Sequence, residues 1–142
     1  MDKHIKNFLK PKFPVLQAVI VDDQEVNLNS LTLLLTSMGF KRKNIRIAKN
    51  GGTALMMINK LIPDLVLTDW NMPMGDGLEL VKSIREKNAY GNISTILVTA
   101  EEDKDIETAR PFVNAVLKKP YSPEELETQI YKAMAHRALD EL

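Results

Sequence analysis

Three carboxylates, a hydroxyl and an ammonium group stand at the ends of short apolar runs in this 142-residue chain. Asp22 and Asp23 follow the run from Val15 to Val21. Asp69 follows Leu65-Val66-Leu67-Thr68, Thr99 follows Ile96-Leu97-Val98, and Lys118-Lys119-Pro120 follows Ala115 to Leu117. Acids gathered in one place repel, so at least one holds a proton unless a cation lies between them. A hard divalent cation with oxygen ligands removes the conflict. Magnesium suits such a set, because it keeps several waters and takes one or two carboxylates directly. Three carboxylates, one lysine and one divalent cation then sum to zero. A phosphoryl group arriving there meets a cation and an ammonium that neutralise its oxygens. An aspartate can be its covalent acceptor. Taken singly, each residue has a plainer reading. Asp22-Asp23 suits the positive end of a helix, Asp69 a loop or cap, Thr99 a strand interior, and Lys118-Lys119 a solvated pair. Taken together they point to chemistry, because four of five strands would deliver a reactive group to one edge.

The positioning elements follow from periodicity. Val15 to Val21 is rich in β-branched residues and reads as a strand buried on both faces. Leu28, Leu31, Leu34, Leu35 and Met38 have helical spacing, and Gly39 stops that helix. Ile45 to Ala48 reads as a strand, Asn50-Gly51-Gly52 as a turn, and Thr53 as the cap of a helix ended by Pro63. After the third strand, Trp70 to Gly77 is a loop, and Leu78, Leu80, Val81 and Ile84 mark a helix. Glu101 to Arg110 is helical but strongly polar. Ser122-Pro123-Glu124-Glu125 opens a last helix with a capping serine and a proline at its first position. Leu126, Ile130, Ala133 and Met134 give that helix a buried stripe. Strand and helix alternate five times, which predicts an α/β doubly wound (βα)5 fold, a parallel five-stranded sheet with helices on both faces. Ligands of such sheets sit beyond the carboxyl ends of the strands, at the switch in strand order.

Composition narrows the chemistry. Lysine plus arginine and aspartate plus glutamate both number 19, so the formal charge is zero. That argues against a nucleic-acid module with a bulk basic surface. Without cysteine there is no disulfide framework and no thiolate chemistry. His4 and His136 lie near opposite ends, which disfavours a histidine metal site or a Ser/His/Asp triad. No apolar run reaches the ~18 residues of a membrane span, and the first residues lack a signal-peptide layout. The expectation is a cytoplasmic protein without nucleic-acid or membrane partners. Residues 1–14, with Lys3, Lys6, Lys10, Lys12, Pro11 and Pro14, read as an N-terminal extension before a domain over 15–142. Ile5, Phe8 and Leu9 allow one helical turn packed on the domain, but a loosely held terminus is the expectation. His136 reads as a surface residue.

Four motifs in order resemble the receiver domains of two-component response regulators. They are Val21-Asp22-Asp23, the segment from Asp69 to Gly77 (DWNMPMGDG), Val98-Thr99-Ala100-Glu101, and Lys119-Pro120. The resemblance spans residues 16–140 and is closest to the CheY-like, stand-alone type. It implies the flavodoxin-like or CheY-like fold and makes Asp69 the phosphoacceptor. Asp23 resembles the direct Mg2+ ligand, Asp22 the residue placing a metal-bound water, and the Asn71 backbone carbonyl a further ligand. Lys119, because it directly precedes Pro120, matches the lysine that contacts the phosphoryl oxygens. Thr99 matches the hydroxyl that binds one of them and draws its loop inward. Asn71 and Glu101 resemble side chains that tune hydrolysis, and their types imply a short-lived phosphate. The implied partners are a sensor histidine kinase or histidine phosphotransfer protein and an output protein. With the last helix ending near Leu142, output is expected through partner binding or by passing the phosphate onward.

The sequence departs from the family in two places. Val116 stands where many receivers carry an aromatic whose rotamer follows phosphorylation, with Phe112 and Tyr121 as the nearest substitutes. The stretch from Thr108 to Asn114 lacks the usual glycine turn, and Pro111 cuts the polar helix short. The loop after Asp69 resembles chemotaxis regulators. Asp23-Gln24-Glu25-Val26-Asn27 is more similar to receivers of hybrid kinases and phosphorelays. Two other classes compete. A magnesium phosphatase of the haloacid dehalogenase type wants an acid two residues after its nucleophile, where this chain has Asn71. A degenerate receiver used only for docking needs none of Asp22, Asp23, Asp69, Thr99 and Lys119.

Overall fold

Short, mostly apolar runs form the centre of the fold, with Thr68, Ser94, Thr95 and Thr99 buried among them. The computed structural model describes residues 2–72, 76–100 and 103–140. Strands β1 (Ala18–Val21), β2 (Ile45–Ala48), β3 (Leu65–Asp69), β4 (Ser94–Thr99) and β5 (Ala115–Lys118) pair in parallel, in the order β2-β1-β3-β4-β5. Between and around them lie α1 (Lys3–Leu9), α2 (Glu25–Met38), α3 (Gly51–Lys60), α4 (Gly77–Arg85), α5 (Asp103–Ala109) and α6 (Pro123–Leu139). The order reverses beside β1, so a crevice opens between the carboxyl ends of β1 and β3.

Side chains alternate across the sheet. Ile20 and Leu67 face α2 and α6, among Leu28, Leu35 and Ile130. Val19 and Val66 face α3 and α4, among Ile58 and Ile84. A third cluster joins Trp70 and Leu97 to Ile106 and Ala109 of α5. Helix ends are set locally. The Ser122 side chain accepts from Glu125 N while the Glu125 side chain reaches back to the Ser122 backbone N–H. Gly39 takes φ 120°, a conformation glycine adopts without a Cβ penalty, at the end of α2. α5 stops at Ala109 and passes into a single 3-10 turn that holds Pro111, the shortening its proline predicts.

Four expectations fail. Residues 2–15 are not a loose terminus. α1 and a 3-10 turn over Lys10–Val15 bury Ile5, Leu9 and Phe13, and Phe13 stacks on Phe40 at 4.6 Å and on Tyr131 at 5.7 Å. Burying an aromatic of this size contributes about 2 kcal/mol or more, enough to hold a short segment down. Val15 lies in that turn, 73 % exposed, so β1 begins at Ala18 rather than Val15. Asn50, not Thr53, caps α3; its side chain accepts from Thr53 N at 2.8 Å, and Gly51 and Gly52 are already helical. His136 is half-buried rather than a surface residue, and its Nε2 is a buried atom without a hydrogen-bond partner.

Candidate functional site

The parallel sheet carries the reactive residues to one edge. Asp22 and Asp23 directly follow β1, Asp69 ends β3, Thr99 ends β4, and Lys119 directly follows β5. Neighbouring strands are tied there by backbone bonds. Asp22 N donates to Ala48 O at 3.1 Å, Trp70 N to Val98 O at 3.1 Å, and Lys119 N to Thr99 O at 2.9 Å. Carboxylate oxygens of Asp22, Asp23 and Asp69 lie within 4.8 Å of one another. The Lys119 ammonium bridges two of the three acids, 2.9 Å from Asp69 Oδ1 and 3.6 Å from Asp22 Oδ2. Gln24 N donates to Asp22 Oδ1 at 2.9 Å, which fixes that carboxylate against the start of α2.

The topology leaves this cluster electrostatically unbalanced. Burial pushes the Asp69 carboxyl up, and the charges of Asp22 and Asp23 push it further. Lys119 pulls it down without cancelling the rise. Burial lowers the Lys119 ammonium, but its hydrogen bond to Asp69 and the charges of Asp69 and Asp22 outweigh that, and it is held above its ordinary value. One cation therefore serves an acid group that is still short of positive charge. The donor set is hard oxygen, crowded and partly desolvated, so it fits a divalent cation such as Mg2+.

Not every predicted residue reaches the cluster in the same way. Thr99 is buried, 1 % exposed, at the strand end beside Lys119. Asn71 follows β3 and is exposed. Glu101 lies outside the described residues. Two further residues carried no clear sequence signal. Gly77 N donates to Trp70 O at 2.8 Å, and a Cβ at Gly77 would come 2.1 Å from Asp69 O. Only glycine lets α4 start against the end of β3. Tyr121, its hydroxyl pushed up by burial, lines a cavity of about 520 Å³ with Asp22, Asp69, Lys119 and Leu31 and Leu34 of α2. The glycine could be suspected only as part of a glycine-rich loop, and the tyrosine stands out in the sequence only as a substitute for the aromatic absent at Val116, not as a wall of this cavity.

Comparison with known proteins agrees with this geometry. The family described as the response regulator receiver domain matches residues 18–131. This chain belongs to the response regulator receiver domain family. The receiver is 34% identical over 119 residues to the chemotaxis protein CheY-3 of Vibrio cholerae serotype O1, covering 82% of this chain and 90% of that one. It is equally identical, 34% over 119 residues, to the chemotaxis protein CheY of Pseudomonas aeruginosa, covering 82% and 94%. Its fold matches that of the chemotaxis response regulator CheY4 of Vibrio cholerae, with a TM-score of 0.74 at 24% identity over 83% of this chain and 98% of that one. The receiver is therefore CheY-like and fits two-component signalling, and its family is typically one of signalling proteins. Its five parallel strands with surrounding helices form the flavodoxin-like fold.

Proposed function

We propose that this receiver takes a phosphoryl group on Asp69 from a phosphohistidine, carried by a sensor histidine kinase or a histidine phosphotransfer protein. It then signals by phosphorylation-dependent binding of an output protein in the cytoplasm. The observation that carries the reading is the Lys119 ammonium 2.9 Å from Asp69 Oδ1, beside carboxylate oxygens of Asp22 and Asp23 grouped with Asp69 within 4.8 Å. In the transfer an Asp69 carboxylate oxygen bonds to phosphorus as the phosphorus–nitrogen bond breaks, and the electron pair leaves on the imidazole nitrogen. Lys119 neutralises the phosphoryl oxygens from one side. Thr99, at the next strand end, donates its hydroxyl to one of them. Asp22, Asp23, Asp69 and the Asn71 carbonyl would hold Mg2+, which supplies the remaining charge neutralisation at the phosphoryl oxygens. The side chains of Asn71 and Glu101 set the lifetime of the acyl phosphate.

The competing classes are less well supported. Asn71 stands where an aspartyl phosphatase of the dehalogenase type wants an acid. A phosphate-independent docking domain has no use for three acids grouped around one lysine. For output, the two chemotaxis relatives favour a motility protein as listener, whereas the Asp23 to Asn27 stretch favours a relay.

Trp70 is the only tryptophan and directly follows Asp69, so it supplies the test. Its fluorescence is followed during a magnesium titration and then after addition of acetyl phosphate. A saturable response to magnesium, then a second response that decays as the donor runs out and is absent in Asp69→Asn, is expected. Uptake of phosphate by Asp69→Asn at the same rate would overturn the assignment of the acceptor.

A further inference from the structure

The zero net charge hides a divided molecule. Residues 1–63 hold ten of the nineteen Lys and Arg but only four of the nineteen acids. No acid occurs between Asp2 and Asp22, and none between Glu25 and Asp64. The same half carries most of the exposed large apolar side chains of the described residues: Val15, Val26, Leu33, Met56, Leu61 and Ile62, with Leu139 the exception. Cations mixed with exposed apolar side chains on one part of a surface mark an interaction site.

Several of these residues gather at the amino end of the sheet. Three connections meet there: the turn before β1, the turn between α2 and β2, and the end of α3. Asn44 Nδ2 donates to Pro14 O at 3.1 Å, and Gln17 Nε2 donates to Asn44 Oδ1 at 3.0 Å, tying the first two together. Phe8, Lys12 and Ile62 line one cavity of about 460 Å³, which brings in the third. Lys12, Lys41, Arg42, Lys43 and Lys60 are all exposed, and among them stand Val15 at 73 %, Leu61 at 50 % and Ile62 at 49 % exposure. Of the two acids that line this cavity, Asp64 is taken by Arg137 at 2.7 Å and by Gln17 N at 2.8 Å, and Asp140 stands exposed just past α6, so cations still predominate here.

We infer that this end of the molecule docks on an anionic phospholipid surface. The chemistry fits on both counts: lysines are drawn to acidic headgroups, and Val15, Leu61 and Ile62 can enter the headgroup boundary. Lys12 and Ile62 border the cavity, but Val15, Lys41, Arg42, Lys43, Lys60 and Leu61 stand outside its lining on three separate connections, so the surface as a whole suits a partner that makes little demand on shape. Single-stranded nucleic acid wants exposed aromatic platforms, whereas Phe13 and Phe40 of these turns are buried and Phe8 is half-buried with the Lys12 ammonium 4.1 Å over its ring. Asp69 lies at the opposite end of the sheet. Docking therefore leaves the acid cluster turned away from the lipid and open to a phosphodonor.

The test is sedimentation of the full chain with sucrose-loaded vesicles of phosphatidylcholine alone or with added phosphatidylserine. Binding to the phosphatidylserine vesicles only, weakening as salt rises, is expected. Each basic residue near such a surface changes partitioning about fivefold, so Lys41→Gln/Arg42→Gln/Lys43→Gln should weaken binding about a hundredfold. Leu61→Ser/Ile62→Ser should weaken it independently of salt. An unchanged magnesium response of Trp70 reports that the fold and the acid cluster are intact in both variants. Equal binding to the two vesicle types, or binding to neither, overturns the proposal. So does capture by polyglutamate or duplex DNA, but not vesicles, through the same three residues, which would assign this end to a different class of partner.

Discussion

The two ends of the sheet treat their partly buried charges in opposite ways. At the amino end, Arg85 and Arg137 are matched. Arg85 of α4, its guanidinium lowered by burial, donates to Ile93 O, Phe112 O, Thr95 Oγ1 and Asn114 Oδ1 at 2.7–3.0 Å. Arg137 of α6 holds Asp64 and also donates to Asn92 O at 2.9 Å. At the carboxyl end three acids are grouped, and among the described residues Lys119 reaches two of them. Similar residue types therefore do different work. Hydrogen-bonded guanidinium groups lock α4, α6 and the last strand onto the sheet, whereas the crowded acids leave a place that fits a divalent cation. The contrast teaches that a reactive site here is recognised by what its neighbours fail to satisfy.

The largest expected effect breaks the site and not the scaffold. Asp69→Asn should abolish phosphate uptake from acetyl phosphate, read as loss of the acid-labile, phosphate-dependent mobility shift on a gel. Its thermal stability in chelator should rise, because the folded state holds that carboxyl above its ordinary value. An acid whose folded pKa is raised costs stability above its unfolded pKa, and a neutral amide removes the cost. The matched end should answer in the reverse direction. Arg85→Ala removes donors from four acceptors and should cost about 3 kcal/mol by urea unfolding, with magnesium binding kept. Asp64→Ala should cost about 2 kcal/mol, since Arg137 and Gln17 N lose a half-buried partner. A gain in stability from Asp64→Ala, or a loss from Asp69→Asn of the same size, would erase the distinction between the two ends.

The smallest effect concerns His136, on α6 near the matched end. Burial lowers its pKa, the Arg137 charge lowers it further, and Arg85 adds to this. A backbone hydrogen bond with Ala133 and the charge of Asp140 oppose the shift without reversing it. With the folded pKa below the unfolded value of about 6.5, the unfolded chain binds more protons in the interval between them. Stability should be fullest above that unfolded value, fall as pH drops towards the folded one, and level off below it. His136→Gln should flatten this part of the profile, measured as the difference in urea midpoint between the two proteins across pH. An unchanged difference would mean that the histidine titrates alike in both states.

Much of this was legible in the sequence, and the reason is local. The β-branched runs, the cap at Ser122, the stop at Gly39 and the break at Pro111 are decided by a few neighbouring residues, so period and turn chemistry reveal them. Once strands run parallel, their last residues must share an edge. The gathering of Asp22, Asp23, Asp69, Thr99 and Lys119 therefore follows from the order of the elements alone. Boundaries set by competition were less legible. Asn50 rather than Thr53 caps α3 because an asparagine side chain reaches the Thr53 N–H and lets two glycines join the helix.

What the chain determined by itself, then, was the order of elements and the identity of the residues at the strand ends, because these follow from short-range patterns. Only the tertiary structure decided that residues 2–15 belong to the packed body. Phe13 finds Phe40 and Tyr131 through contacts between residues far apart in sequence, and such contacts leave no periodic trace. Only it decided that Gly77 must be glycine, since the obstacle to a Cβ is the backbone of Asp69. The segregation of cations from the acid cluster also needed three dimensions, because its amino-end part is assembled from three turns that meet only when the sheet has formed.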